Sequence, residues 1–251
     1  MDKEIFIADK VYRTVKREQC IIIEPEVELY HGSPNEICIP TYGFGESKHD
    51  YGKGFYLTFD IELAKEWAVC NSDENGFVHK YLLETVGLNI IDFHTTYKNV
   101  LVWLAVLSKH RSGVNSKKDK LTEAKLIEQY YPAEIEKADV IIGYRADDSF
   151  FSFAKQAIRG EVDIKLLDEI MHTGKLGYQV FIQSSKAFSA LKEVKAEGKN
   201  YYATVNQAEY SLKYNDRDHK ARQYVADLID SDRNTLKDTI EKYLEDSDGN
   251  I

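Results

Sequence analysis

The run "ADVIIGY" at residues 138–144 constrains this chain most. It is apolar without alternation and of strand length, so it needs cover on both faces and belongs in the middle of a sheet. Around it lie shorter alternating segments, separated by blocks of helical period. Val27, Leu29 and His31 share one face of a strand at 27–31, with Glu28 and Tyr30 on the other. In "GFYLTF" (54–59) the apolar Phe55, Leu57 and Phe59 oppose Tyr56 and Thr58. Asp60 is placed to cap a helix in which Leu63, Ala64, Trp67 and Ala68 recur at helical spacing. Further strands are predicted at 77–84, 88–93 and 178–185, and helices at 97–111, 121–130, 148–159 and 162–173. After residue 200 the chain turns polar and periodic, and 208–244 reads as two helices. Strands and helix blocks mixed in this way predict an α+β fold, not repeated βαβ units. The expected organisation is an N-terminal segment (1–26), one compact domain (27–195) and a C-terminal helical extension (196–251).

The 251 residues, 43% of them apolar, suffice for a substantial core. A formal charge of -9 argues against a general nucleic-acid coat, which needs dispersed basic surface. The basic stretches "VYRTVKR" (11–17) and "SKHRSGVNSKKDK" (108–120) read as solvated faces. Cys20, Cys38 and Cys70 form no CxxC pair, which fits a reducing cytoplasm. The start of the chain has no apolar signal core, and "VLVWLAVL" (100–107) is too short to span a bilayer, so no membrane association is expected. His79, His94, His110, His172 and His219 lack metal-ligand spacing and read as packing or surface groups; no metal is expected. There is no phosphate-cradling GxxxxGK[ST], and no HExxH or GxSxG, so any nucleotide site must be built another way.

Two short segments carry candidate chemistry. His31 ends its strand directly before Gly32 and Ser33. The glycine lets a ligand approach the backbone, and the serine adds a hydroxyl. Gly52, Lys53 and Gly54 form a turn whose backbone N–H groups beside a positive charge suit an anionic or amide-bearing ligand. Tyr56 then points away from the apolar face, offering a ring for stacking and a hydroxyl for hydrogen bonding. A strand-end histidine and a tight Gly-Lys-Gly turn are the plainer readings of the same residues. His49 and Asp50, just before the hinge, read as loop-ordering groups, and Trp67 and Trp103 as core.

Taken together and in order, "LYHGS", "DYGKGFYLT", "AKEWA", "DVIIGYRADD" and "YQVFIQSSKAFSAL" resemble a bacterial domain family of unknown function. That family is similar to the ADP-ribosyltransferases of the His-Tyr-Glu class. The resemblance covers about residues 27–195. It implies an ADP-ribosyltransferase-like split, bent β-sheet with flanking helices, and NAD⁺ as co-substrate. His31 would bond the adenosine-side ribose, Gly32 backbone groups would hold the nicotinamide carboxamide, and Tyr56 would stack on the nicotinamide ring. A carboxylate on a later strand would bond the nicotinamide ribose and steady the oxocarbenium-like centre.

The position that matches this carboxylate is Gln179, which can bond a hydroxyl but supplies no charge. Asp147 and Asp148 follow the apolar strand, so one is expected to cap a helix and the other to serve as a site carboxylate; Asp148 is the candidate, with the choice between them open. Arg145 reads as the partner of an acid, with diphosphate binding as its other option. The implied activity is mono-ADP-ribosyl transfer to a macromolecular acceptor, protein favoured over nucleic acid. A module that binds NAD⁺ or ADP-ribose without turnover, and a helical interaction protein, are the alternatives. Acceptor-recognising loops are expected at 112–120 and 145–150.

Overall fold

The computed structural model describes residues 24–97, 99–146, 148–173, 178–231, 239–242 and 244. Among these, one mixed sheet contains β1 (Glu26–Ser33), β2 (Phe55–Thr58), β3 (Gly76–Glu84), β4 (Ile90–Asp92), β5 (Val140–Tyr144), β6 (Tyr178–Ile182), β7 (Leu191–Val194) and β8 (Ala203–Val205). The order is β4-β5-β6-β2-β1-β3-β7, and β8 joins β3 beside β7. Among the described residues only β4 and β5 pair in parallel. Their crossover carries α2 (Phe93–Thr96), α3 (Val100–His110) and α4 (Lys117–Tyr130). The other helices are α1 (Ile61–Val69), α5 (Asp148–Ile158), α6 (Ile164–Thr173), α7 (Ser185–Ser189) and α8 (Gln207–Ser231). The α+β class holds, with strands and helices in irregular succession.

The sheet is bent. Val27 and Leu29 of β1 share one apolar cluster with Leu57, Tyr81, Val140, Ile142, Val180 and Ile182. In a flat sheet β1 and β5, three places apart, would lie about 14 Å from each other. Yet Val27, Leu29, Val140 and Ile142 line the same small apolar gap. Burial of apolar side chains between the two halves therefore folds the sheet back on itself, while its end strands, β4 and β7, stay unpaired with each other. Outer faces are covered by helices. Ile141 and Phe181 pack with residues of α3, α5 and α6, and Tyr30 and Val78 pack under Ala64 and Ala68 of α1. The contact with α1 is very close: a Cβ on Gly32 would lie 1.9 Å from the Ala64 carbonyl oxygen.

Several boundaries differ from the sequence expectation, and caps explain most of them. The strand predicted to 185 stops at Ile182 because Ser184 caps α7, its hydroxyl accepting from the Ala187 N–H. The segment 88–93 narrows to Ile90–Asp92 because Asp92 caps α2. In the same way Ser116 starts α4 at Lys117, earlier than the apolar period suggested. Strands β7 and β8 were not anticipated, being short and partly exposed, and with β8 the sheet runs past residue 195. The first predicted C-terminal helix is α8; the second lies largely outside the described residues. Among the described residues no helix is long and apolar enough to cross a membrane.

Candidate functional site

The site opens where β1 and β2 part. These strands share a single register pair, Tyr30↔Thr58. Beyond it β1 stays with β3 through Ser33, while β2 stays with β6 as far as Phe55. The imidazole of His31 closes the gap, its Nδ1 lying 2.7 Å from the Tyr56 carbonyl oxygen. A carbonyl only accepts, so Nδ1 carries the proton and Nε2 is left as the acceptor. Burial pushes the His31 pKa down to about 4; the hydrogen bond to Tyr56 opposes the shift and the neighbouring His79 adds to it. The ring is therefore neutral at pH 7.

A cleft of about 430 Å³ lies at this parting, with His31, Phe55, Tyr56, Asp50, Gln179 and Arg145 among its walls. The Tyr56 hydroxyl donates to the Gly52 carbonyl at 2.7 Å and accepts from the Tyr51 N–H at 3.1 Å. It is thus committed to the glycine turn, and burial raises its pKa. What Tyr56 offers a ligand is its ring, which leans on Phe181 at 4.8 Å and meets the edge of His49 at 5.4 Å. Tyr51 anchors the turn from beneath, its hydroxyl donating to the Tyr144 carbonyl at 2.8 Å. Gly143 makes room for it, since a Cβ there would sit 2.1 Å from the Tyr51 hydroxyl. That accounts for the glycine inside an otherwise bulky strand.

The anchored turn places Asp50 at the base of the cleft, 7% exposed. Its Oδ1 accepts from Arg111 Nη1 at 3.1 Å, and its Oδ2 accepts from the Ala146 N–H and from Gln179 Nε2, both at 2.8 Å. Gln179 Nε2 also donates to the Tyr144 carbonyl at 3.0 Å. Two acceptors fix the amide orientation and leave Oε1 as the atom available to a ligand hydroxyl. Arg145 places its guanidinium 5.3 Å from the centre of the Trp67 ring, and both residues line the cleft.

Of the residues singled out in the sequence, His31, Gly54, Tyr56 and Gln179 meet at this cleft. Gly32, Ser33, Gly52 and Lys53 do not line it. Gly32 is glycine because its missing side chain faces the backbone of α1, not an open space. The Ser33 hydroxyl accepts from the Asn35 N–H in a turn. Lys53 is exposed. Asp147, and the side chain of Asp148, lie outside the described residues. Trp103 is core, as expected, but Trp67 is a cleft wall.

Sequence reasoning missed Asp50 and Arg111 as site residues, and Tyr214 of α8, which also lines the cleft. The position of Asp50 directly before "YGKG" was a signal; a single arginine in a basic stretch and a tyrosine in a polar helix were not. Among the described residues no group of three or more histidine, cysteine or acidic side chains is arranged to hold a metal ion.

Residues 27–193, more than half of the chain, match a family model described as Protein of unknown function (DUF3990). No curated protein and no solved structure matches the chain. The chain belongs to the DUF3990 family.

Proposed function

We propose that the cleft binds NAD⁺ and that the protein is a mono-ADP-ribosyltransferase, transferring ADP-ribose to a macromolecular acceptor, protein in preference to nucleic acid. The observation that carries this reading is the meeting of a neutral His31, the Tyr56 ring and the Gln179–Asp50 pair in one cleft. His31 Nε2 and Gln179 Oε1 suit ribose hydroxyls. The Tyr56 ring suits a planar base, a contact worth about 1–3 kcal/mol in base-stacking proteins. Arg145 and Arg111 put two guanidinium groups on the walls, a chemistry matched to a diphosphate.

In the reaction the bond between the ribose C1′ and the nicotinamide nitrogen breaks, and its electron pair leaves with nicotinamide. Positive charge then spreads over C1′ and the ring oxygen until the acceptor nucleophile bonds C1′ and loses its proton. A fixed negative charge nearby lowers that barrier. Gln179 has none, but Asp50 stands directly behind it, 2.8 Å from its amide nitrogen. The carboxylate polarises the amide so that Oε1 presents more negative charge to the ribose. In this reading Asp50 takes the part that the sequence assigned to the 147–148 acid pair.

Incubation of the protein and a cell lysate with NAD⁺ labelled in its ADP-ribose part tests the reading. Labelled protein and released nicotinamide are expected, both lost in His31→Ala and Tyr56→Ala. Labelling that persists in both variants would end the assignment. A second reading, a module that binds NAD⁺ or ADP-ribose without turnover, is favoured by the neutral Gln179 and by the Arg111 ion pair that offsets the charge of Asp50. NAD⁺ binding without nicotinamide release, in wild type and in Gln179→Glu alike, would select it.

A further inference from the structure

Helix α8 lies beyond the span that the family model covers. Even so, its Tyr214 lines the cleft together with Trp67, Cys70 and Asn71 from the end of α1. Contacts to α1 clamp α8 on both sides of this tyrosine. One turn before it, the Tyr210 hydroxyl donates to Glu62 Oε2 at 2.9 Å. One turn after it, Arg217 donates from Nε and Nη2 to Glu66 Oε2 at 2.9 and 2.7 Å. Residues 210, 214 and 217 follow one face of α8 and residues 62 and 66 one face of α1, so a single turn of α1 holds the two turns of α8 that flank Tyr214. Farther along, the Tyr224 hydroxyl comes within 3.5 Å of Glu169 on α6, and α8 touches α5. The helix thus reaches from the elements over one half of the bent sheet to those over the other.

We infer that α8 completes the ligand site and that Tyr214 stacks on a planar heteroaromatic ring of the bound molecule. On the NAD⁺ reading, on which this inference rests, that ring is the adenine or the nicotinamide. A tyrosine on a helix held at i−4 and i+3 has little freedom left to lose on binding, which is what makes a stacking platform effective. It sits in the same cleft as Trp67, whose ring already carries the Arg145 guanidinium. Ligand affinity in this chain therefore depends on a residue outside the matched family span.

Calorimetric titration of the full chain with NAD⁺, ADP-ribose and nicotinamide mononucleotide tests this. Tyr214→Ala is expected to weaken NAD⁺ about tenfold or more, and Tyr214→Phe to stay close to wild type, because stacking needs the ring and not the hydroxyl. A matching loss for ADP-ribose alone places adenine on Tyr214; a matching loss for the mononucleotide alone places nicotinamide there. Tyr214→Leu keeps bulk without a π face and gives the same answer should alanine unfold the helix. Unchanged NAD⁺ affinity in both variants overturns the inference and leaves the NAD⁺ reading standing. An equal loss for all three probes marks a general distortion of the cleft and also overturns it. A wild-type chain that binds none of the three overturns the NAD⁺ reading itself.

Discussion

The antiparallel strands β1 and β2 have one closed end and one open end. Toward one end, Val27 and Leu29 of β1 and Leu57 of β2 are sealed into the apolar layer between the two halves of the sheet. Toward the other, the strands separate after Tyr30↔Thr58, and His31, Phe55 and Tyr56 border the cleft. Val27, Leu29 and His31 lie on one strand face at alternate positions, so their side-chain direction is the same and only their place along the strand differs. Where the apolar layer continues, burial of hydrocarbon supplies stability. Where it stops, polar groups take over the pairing: His31 bonds the Tyr56 carbonyl that a neighbouring strand would otherwise satisfy. The same groups keep atoms in reserve, Nε2 on His31 and Oε1 on Gln179. The closed end holds the molecule together, and the open end gives it a site.

If that division is right, substitutions at the two ends should fail in different ways. The largest effect on stability is expected at the closed end. Leu57→Ala, at a fully buried position, should lower unfolding free energy by about 2–5 kcal/mol while the folded fraction binds ligand as before; denaturant unfolding alongside titration measures both. At the open end, His31→Ala should cost about 1–3 kcal/mol, since it leaves the Tyr56 carbonyl without its donor, and should also abolish NAD⁺ binding. Tyr56→Phe should be milder, losing about 1 kcal/mol from the hydroxyl bonds to the glycine turn but retaining the stacking ring and hence most NAD⁺ affinity. If Tyr56→Phe were as inactive as Tyr56→Ala, the hydroxyl would have a role beyond holding the turn.

A further effect concerns pH. An unfolded imidazole titrates near about 6.5, whereas His31 is pushed down to about 4 by burial. Between those values the unfolded chain takes up a proton that the folded chain refuses. The stability that His31 contributes is therefore complete above about pH 6.5 and is lost as pH falls toward about 4. Melting temperatures followed through that window should fall less steeply in His31→Gln than in wild type.

Much of this was legible in the sequence where a feature is local. Alternation marked Val27, Leu29 and His31, the run "VIIGY" marked a strand buried throughout, although it lies beside the edge strand β4 and not in the middle of the sheet, and Asp60 before an apolar helical period marked a cap that the structure contains. The convergence of His31, Tyr56 and Gln179 was expected only from the resemblance among five motifs, because no local pattern reports which strands meet. Gly32 was assigned to ligand access, but its need for a hydrogen is set by a helix more than thirty residues downstream at Ala64 and Ala68. Asp50 escaped because its role depends on three partners far away in the chain, Arg111, Ala146 and Gln179. Tyr214 escaped for a similar reason: nothing in a polar, periodic helix shows which face lies over a cleft.

In the proposed reaction Asp50 supplies the negative charge that Gln179 lacks. Nicotinamide release at saturating NAD⁺, compared between wild type and Asp50→Asn, tests it most directly. The substitution keeps the shape of the side chain and removes its charge. Release slower by a factor of about 10²–10³ is expected in Asp50→Asn, with NAD⁺ affinity changed only slightly. Equal rates in the two proteins, or a wild type that releases no nicotinamide, would contradict it.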